Sequence, residues 1–189
     1  MEWGSQEVKK IQVYNKNSII MLNYQKKYAI VKQEKSKEER SMIAIGSDHG
    51  GYKLKEEIKK YLEEIKIEYK DFGTDSEERT DYPIYAEKVA KSIQKKECDK
   101  GILLCKSGCG MAIVANKFKG IRAGLVINEN EAKFAKADDD INVITISGSN
   151  TSIEEAIKII RMWLGTEFKG GRYQERIEMI NKIEKENMK

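Results

Sequence analysis

The stretch Leu103-Leu104-Cys105-Lys106-Ser107-Gly108-Cys109-Gly110-Met111-Ala112-Ile113-Val114-Ala115-Asn116-Lys117-Phe118-Lys119 decides the fold. The apolar run from Lys100 to Leu104 reads as a short strand that empties into a small-residue loop, and the loop opens a helix. Cys105 therefore stands where the carboxyl end of a strand meets a helix N-terminus. Backbone N–H groups from Lys106 to Gly110 would face whatever binds there, and the helix dipole favours an anion or a thiolate.

On both sides of this stretch strands alternate with helices. The spacing predicts strands at Met42–Gly46, Ile67–Phe72, Ile121–Val126 and Asn142–Ile146 besides the central one. Between them it predicts a helix with Leu54, Ile58, Leu62 and Ile65 on one face and a second entered at Pro83, the only proline, running to about Glu97. Another runs from Glu129 to about Ala137, and a last one has Ile153, Ile157, Ile160 and Leu164 on one face. The expected fold is α/β, a five-stranded parallel sheet covered by helices on both faces, with ligands at the carboxyl ends of the strands. Asp48, His49 and Cys105 all fall there. The tail carries Ile177, Ile180 and Ile183 as an apolar stripe with no strand left to cover, which predicts packing on a partner subunit.

Charge and cysteine content narrow the function. Residues 1–41 hold nine of the 35 Lys and Arg and five of the 31 Asp and Glu, leaving 26 of each from Met42 onward. A neutral body is poor footing for a nucleic-acid reader. No apolar run approaches the ~18 residues of a membrane span. Cys98, Cys105 and Cys109 read as cytoplasmic usage rather than a disulfide framework, and Cys105 with Cys109 alone is too small a set for zinc. Segment 1–41 lacks a clear period and is expected to be a disordered or non-native extension to a domain spanning 42–189. Met42 opens a strand abruptly after codons compatible with a purine-rich ribosome-binding tract, so it is the expected native start; N-terminal sequencing of native protein tests this.

The ordered motifs resemble the ribose-5-phosphate isomerase B family, which includes the galactose-6-phosphate isomerase subunits. They are Ile45-Gly46-Ser47-Asp48-His49-Gly50-Gly51, Asp71-Phe72-Gly73-Thr74, Glu78-Arg79-Thr80-Asp81-Tyr82-Pro83, Gly101-Ile102-Leu103-Leu104-Cys105, Ala115-Asn116-Lys117, Gly120-Ile121-Arg122-Ala123, and Thr166-Glu167-Phe168-Lys169-Gly170-Gly171-Arg172 with Arg176. The resemblance covers Met42 to about Glu184. It implies a Rossmann-like three-layer α/β/α sandwich with a C-terminal helical tail and a homodimer or homotetramer with shared sites. It further implies no metal or other cofactor, and aldose–ketose isomerisation of a sugar phosphate.

The resemblance also assigns roles. Cys105 is the expected base, and Ser107, in place of the family's threonine, with the N–H groups through Gly110 would hold an enediolate. Asp48 and Tyr82 would line the sugar, His49 would touch phosphate, and Arg172 with Arg176 would present two guanidinium forks to it. Gly108, Cys109 and Gly110 belong to the substrate loop. Four departures stand out. Asp138 and Asp139 occupy the places of the ring-opening histidine and its neighbouring asparagine. Ser149 stands where many members place a phosphate-binding arginine, Lys106 replaces a glycine of the anion loop, and Tyr173 replaces a histidine.

Ribose 5-phosphate and ribulose 5-phosphate are the default pair. A tetrose 4-phosphate, whose O4 is esterified and cannot close a furanose, would need no ring opener; hexose 6-phosphates and a non-catalytic binder or helper subunit are the other readings. A receiver domain would need an aspartate where Cys105 stands, and a cysteine phosphatase an arginine where Met111 stands.

Overall fold

The computed structural model describes residues 41–188, so the expected extension, Ser41 apart, lies outside the described residues. Five strands form one parallel sheet: β1 (Ile43–Ser47), β2 (Tyr69–Asp71), β3 (Lys100–Cys105), β4 (Ala123–Leu125) and β5 (Val143–Ser147). Six helices accompany them: α1 (Tyr52–Glu64), α2 (Tyr82–Gln94), α3 (Cys109–Ala115), α4 (Glu129–Asp139), α5 (Ile153–Gly165) and α6 (Arg172–Asn187). The order across the sheet is β2-β1-β3-β5-β4. From β1 the chain moves outward to β2, then returns past β1 to lay down β3 on its other side. The direction therefore reverses between β1 and β3, and a crevice for ligands opens above their carboxyl ends.

Burial explains the strands. β1 and β5 are buried at every position, as expected for strands covered on both faces. The edge strands β2 and β4 are more open and only three residues long. β2 is thus shorter than the Ile67–Phe72 expected: Ile67 is buried in the turn that leaves α1, its N–H bonded to the Leu62 carbonyl at 2.9 Å.

The helix boundaries follow local chemistry. Pro83 sits in the first turn of α2, where a missing N–H costs nothing. Ser152 and Glu155 form a reciprocal capping box on α5, and the Asn128 side chain accepts the Glu131 N–H at the start of α4. The buried face of α5 is Ala156, Ile159, Ile160 and Trp163, rotated from the isoleucine stripe read from the sequence. Trp163 decides the rotation: it is fully buried and its indole N–H donates to the Ile141 carbonyl at 3.1 Å. In the tail, α6 touches α4 and Ile177 is buried within the chain itself, while Ile180 and Ile183 remain exposed.

Candidate active site

Cys105 is the last residue of β3 and is only 5% exposed. The chain turns over the sulfur through Gly108, whose φ of 79° belongs to the left-handed region that favours glycine. That turn brings the Gly108 N–H to 3.1 Å from Cys105 Sγ. The space admits no side chain either, since a Cβ at 108 would lie 2.6 Å from Leu125 Cδ1.

Three loops close around this turn. The Cys105 carbonyl accepts the Gly148 N–H at 2.8 Å, the Lys106 carbonyl accepts the Ser147 hydroxyl at 2.8 Å, and the Leu104 carbonyl accepts the Asp48 N–H at 3.3 Å. The approach is so close that a Cβ on Gly148 would meet the Gly50 carbonyl oxygen at 2.3 Å, and one on Gly51 would meet Leu104 Cβ at 2.6 Å. These contacts explain the paired glycines after Asp48-His49.

Asp48 is buried at the mouth of the crevice, and its Oδ1 accepts the Gly50 N–H at 2.9 Å. Burial raises its pKa above the ordinary 3.8, although His49 and the N–H groups of Gly50 and Gly51 pull the other way. His49 is held from the far side: its Nδ1 lies 3.0 Å from the Thr80 carbonyl oxygen and 3.2 Å from the Thr80 nitrogen. Thr80 is itself tied through its hydroxyl to Tyr85 Oη at 2.9 Å. The Tyr82 ring lies over Gly110, where a Cβ would come within 2.7 Å of it.

The carboxyl edge of the sheet thus gathers Asp48, His49, Tyr82, Cys105, Lys106, Ser107, Gly108, Cys109, Gly110 and Ser149. Lys106, Ser107 and Cys109 are exposed on the loop, and Ser149 donates its N–H to the Lys106 carbonyl at 3.2 Å.

The remaining candidates sit elsewhere. Asp138 and Asp139 end α4, at the amino edge of the sheet, because a helix between parallel strands runs antiparallel to them. Arg122 marks that level: it precedes β4 and donates to the Asp139 and Asp140 carbonyl oxygens and to the Asp140 carboxylate. Cys105 lies four residues above Gly101, the register partner of Val143, so the two groups are separated by about 13 Å of strand.

Asp138 is paired with Lys169, Nζ to Oδ1 2.5 Å. Lys169, Arg172 and Arg176 all approach the Tyr173 ring, at 4.9, 5.0 and 5.3 Å from its centroid. Arg172 also donates to the Tyr173 hydroxyl at 3.0 Å, and that hydrogen bond, with the charge of Arg172 and Lys169, lowers the phenol's pKa against burial and Asp138. The single chain therefore brings Asp138, Arg172 and Arg176 together, but joins neither them to Cys105 nor Ser149 to the two arginines.

Sequence reasoning passed over Thr80, Tyr85 and Lys169 as positioning groups. Thr80 lies inside the Glu78-Arg79-Thr80-Asp81-Tyr82-Pro83 motif and Tyr85 two residues beyond it, so proximity was the available signal. Nothing in the sequence pointed to Lys169 as the partner of Asp138.

The sequence and its fold have counterparts among known proteins. The family model for Ribose/Galactose Isomerase matches residues 43–180. The chain belongs to that family. Within it, ribose-5-phosphate isomerase B of Escherichia coli is 44% identical over 142 residues, covering 75% of this chain and 95% of the relative. The ribose/galactose isomerase fold is matched by ribose-5-phosphate isomerase B of Clostridium thermocellum at a TM-score of 0.76 and 41% identity, over 77% of this chain and 98% of that one. The enzyme of Mycoplasma genitalium, solved with bound ribulose-5-phosphate, matches at a TM-score of 0.74 and 38% identity, over 77% and 97%. Among the described residues no helix is long and apolar enough to cross a membrane.

Proposed function

We propose that this family member interconverts ribose 5-phosphate and ribulose 5-phosphate, with Cys105 as the base. Membership of a sugar-phosphate isomerase family supports the reaction class. The observation that carries the mechanism is the Cys105 sulfur at the switch point, oriented by the Gly108 N–H and bordered by Asp48.

In this mechanism the Cys105 thiolate takes the proton from C2 of the open-chain aldose. The C2–H electron pair becomes the C1=C2 bond, and the carbonyl pair moves onto O1. The Ser107 hydroxyl and loop N–H groups through Gly110 meet the charge that develops on that oxygen. A proton passes from O2 to O1, the Cys105 thiol returns its proton to C1, and C2 becomes the ketone. Asp48 holds sugar hydroxyls, the Tyr82 ring walls the site, and His49 and Lys106 stand at the phosphate side of the loop.

The groups at the amino edge enter through a second copy of the chain. Asp138, Asp139, Arg172 and Arg176 of one protomer complete the site around Cys105 of the partner subunit, making a homodimer the smallest active unit and a homotetramer compatible with it. Exposed Ile113, Ile127 and Phe134, from α3, the loop after β4 and α4, supply an apolar contact face between the two groups. In the dimer Asp138 takes the anomeric proton during ring opening, and the arginines bind phosphate. Neither nucleic acid nor membrane is a partner, and three unpaired cysteines suit a cytoplasmic setting. The domain of this enzyme begins at Met42.

The Lys169–Asp138 ion pair favours a second reading. A carboxylate committed to an ammonium is a poor proton acceptor, which suits an open-chain substrate such as a tetrose 4-phosphate. Isomerase assays on ribose 5-phosphate and erythrose 4-phosphate, with Cys105→Ala and Asp138→Asn alongside, separate the two. Pentose activity falling about 10³-fold in Cys105→Ala and also dropping in Asp138→Asn supports the first reading. Tetrose activity alone, indifferent to Asp138→Asn, selects the second, and pentose activity retained in Cys105→Ala would sink the cysteine mechanism.

A further inference from the structure

Three cations crowd one phenol ring at the start of α6. Lys169, Arg172 and Arg176 each come within 5.3 Å of the Tyr173 centroid. Like charges gather at that spacing only where something offsets their repulsion. The ring face offers part of the compensation, and the Asp138 carboxylate, bonded to Lys169, offers a single negative charge. Three positive groups against one negative leave a surplus of two charges, which matches a phosphate dianion.

We propose that Lys169 is a third cation of the phosphate site and that it changes partner on binding, leaving Asp138 for the substrate's phosphate. The inference rests on the pentose reading above. Lys169 is suited to this exchange. Its ammonium is exposed, sits on a flexible stem three residues before the first residue of α6, and is kept protonated by its hydrogen bond to Asp138 and then by the carboxylate's charge. An exposed pair of this kind contributes little to stability, so a doubly charged phosphate held by two guanidinium forks can outbid it.

The exchange frees Asp138 when substrate has arrived. The carboxylate then takes the proton of the anomeric hydroxyl. The O–H pair becomes the C1=O bond, the C1–O4 pair leaves on the ring oxygen, and that oxygen takes the proton back from Asp138. Phosphate recognition and ring opening become one event, which makes the reaction selective for phosphorylated sugars. Tyr173 is a positioning residue here: its ring holds the three cations apart from one another yet together around one point.

Inorganic phosphate binding and steady-state kinetics test this on the full chain. Lys169→Met is expected to weaken phosphate binding and raise KM for ribose 5-phosphate about tenfold, roughly the worth of one charge-assisted hydrogen bond, with kcat falling less than threefold. Asp138→Asn is expected to do the opposite to binding, tightening phosphate severalfold because its competitor is gone, while kcat falls. Tyr173→Phe keeps phosphate affinity and Tyr173→Leu loses it. Unchanged phosphate binding in Lys169→Met, or weaker binding in Asp138→Asn, overturns the exchange. Arg172→Gln separates this from the reading beneath it: if that variant also binds phosphate normally, the tail is no phosphate site; if it alone is impaired, only the role of Lys169 fails.

Discussion

The two edges of the sheet are built by different means. At the carboxyl edge, Cys105 and Asp48 are buried and held by backbone groups, and the loops touch so closely that glycine is required at 51 and 148. At the amino edge, Asp138 and the tail cations meet through side chains around the half-buried ring of Tyr173. The first arrangement fixes geometry before any ligand arrives, which suits proton transfer between carbons. The second is adjustable and open to screening ions, which suits capture of a charged group.

The sharpest way to break this contrast is to loosen the carboxyl edge from beneath. Asp71 ends β2 and bonds Lys55 at 2.5 Å, Lys59 at 2.9 Å and the Gly73 N–H at 2.9 Å. Lys55 is 1% exposed, so Asp71→Asn leaves a buried ammonium with a weakened partner set. Lys55 keeps its bond to Glu56 at 2.6 Å, so a loss of about 2–3 kcal/mol is expected by denaturant unfolding. The loop that leaves Asp71 is pinned to β1 through Thr74 N–H and the Ser47 carbonyl and goes on to carry Thr80, so kcat should fall with stability. Unaltered stability would mean the carboxyl edge does not depend on this buried pair.

Gly148→Ala is the next step down. Its new methyl collides with the Gly50 carbonyl at 2.3 Å, against backbone rather than a yielding side-chain end. About 1–3 kcal/mol of destabilisation is expected, with kcat reduced. A variant with parental stability and kcat would show that the loops can shift apart to admit a methyl group. Salt should act the other way round: raising sodium chloride from about 0.05 to about 0.5 M is expected to raise KM severalfold and to leave kcat within about twofold. A kcat that fell in step with KM would remove the distinction.

These edges were not equally legible in the sequence. Alternating apolar strands and helices, with the small-residue loop after Leu104, were enough to place Asp48, His49 and Cys105 on one side, because strand direction alone decides which end a loop occupies. Short edge strands were overestimated because Ile67 is apolar for the sake of a turn, not a ladder. The α5 face was misjudged because four isoleucine-type positions do not outweigh one tryptophan that finds an acceptor for its N–H. The pairing of Lys169 with Asp138 was invisible because an ion pair across 31 residues leaves no periodic trace.

The smallest expected effect tests whether the carboxyl edge is organised for function at a cost to stability. Asp48 and Asp71 are carboxylates on neighbouring strand ends whose pKa values move in opposite directions. Burial raises that of Asp48, whereas for Asp71 burial is outweighed by hydrogen bonds from Lys55, Lys59 and Gly73, and its pKa falls. For Asp48 the folded state binds its proton more tightly than the unfolded chain, so its contribution to stability is fully present below 3.8 and is lost as pH rises through the folded pKa. For Asp71 the contribution is present above 3.8 and is lost as pH falls through its lowered folded pKa. Asp48→Asn, which cannot ionise, should therefore gain stability relative to the parent at pH 7, and the gain should shrink towards zero as pH falls to about 3.8, while isomerase activity drops at every pH. Thermal unfolding of both proteins across that range is the measurement. A variant that lost stability at neutral pH would mean that the Asp48 carboxylate is held for the fold rather than for the sugar.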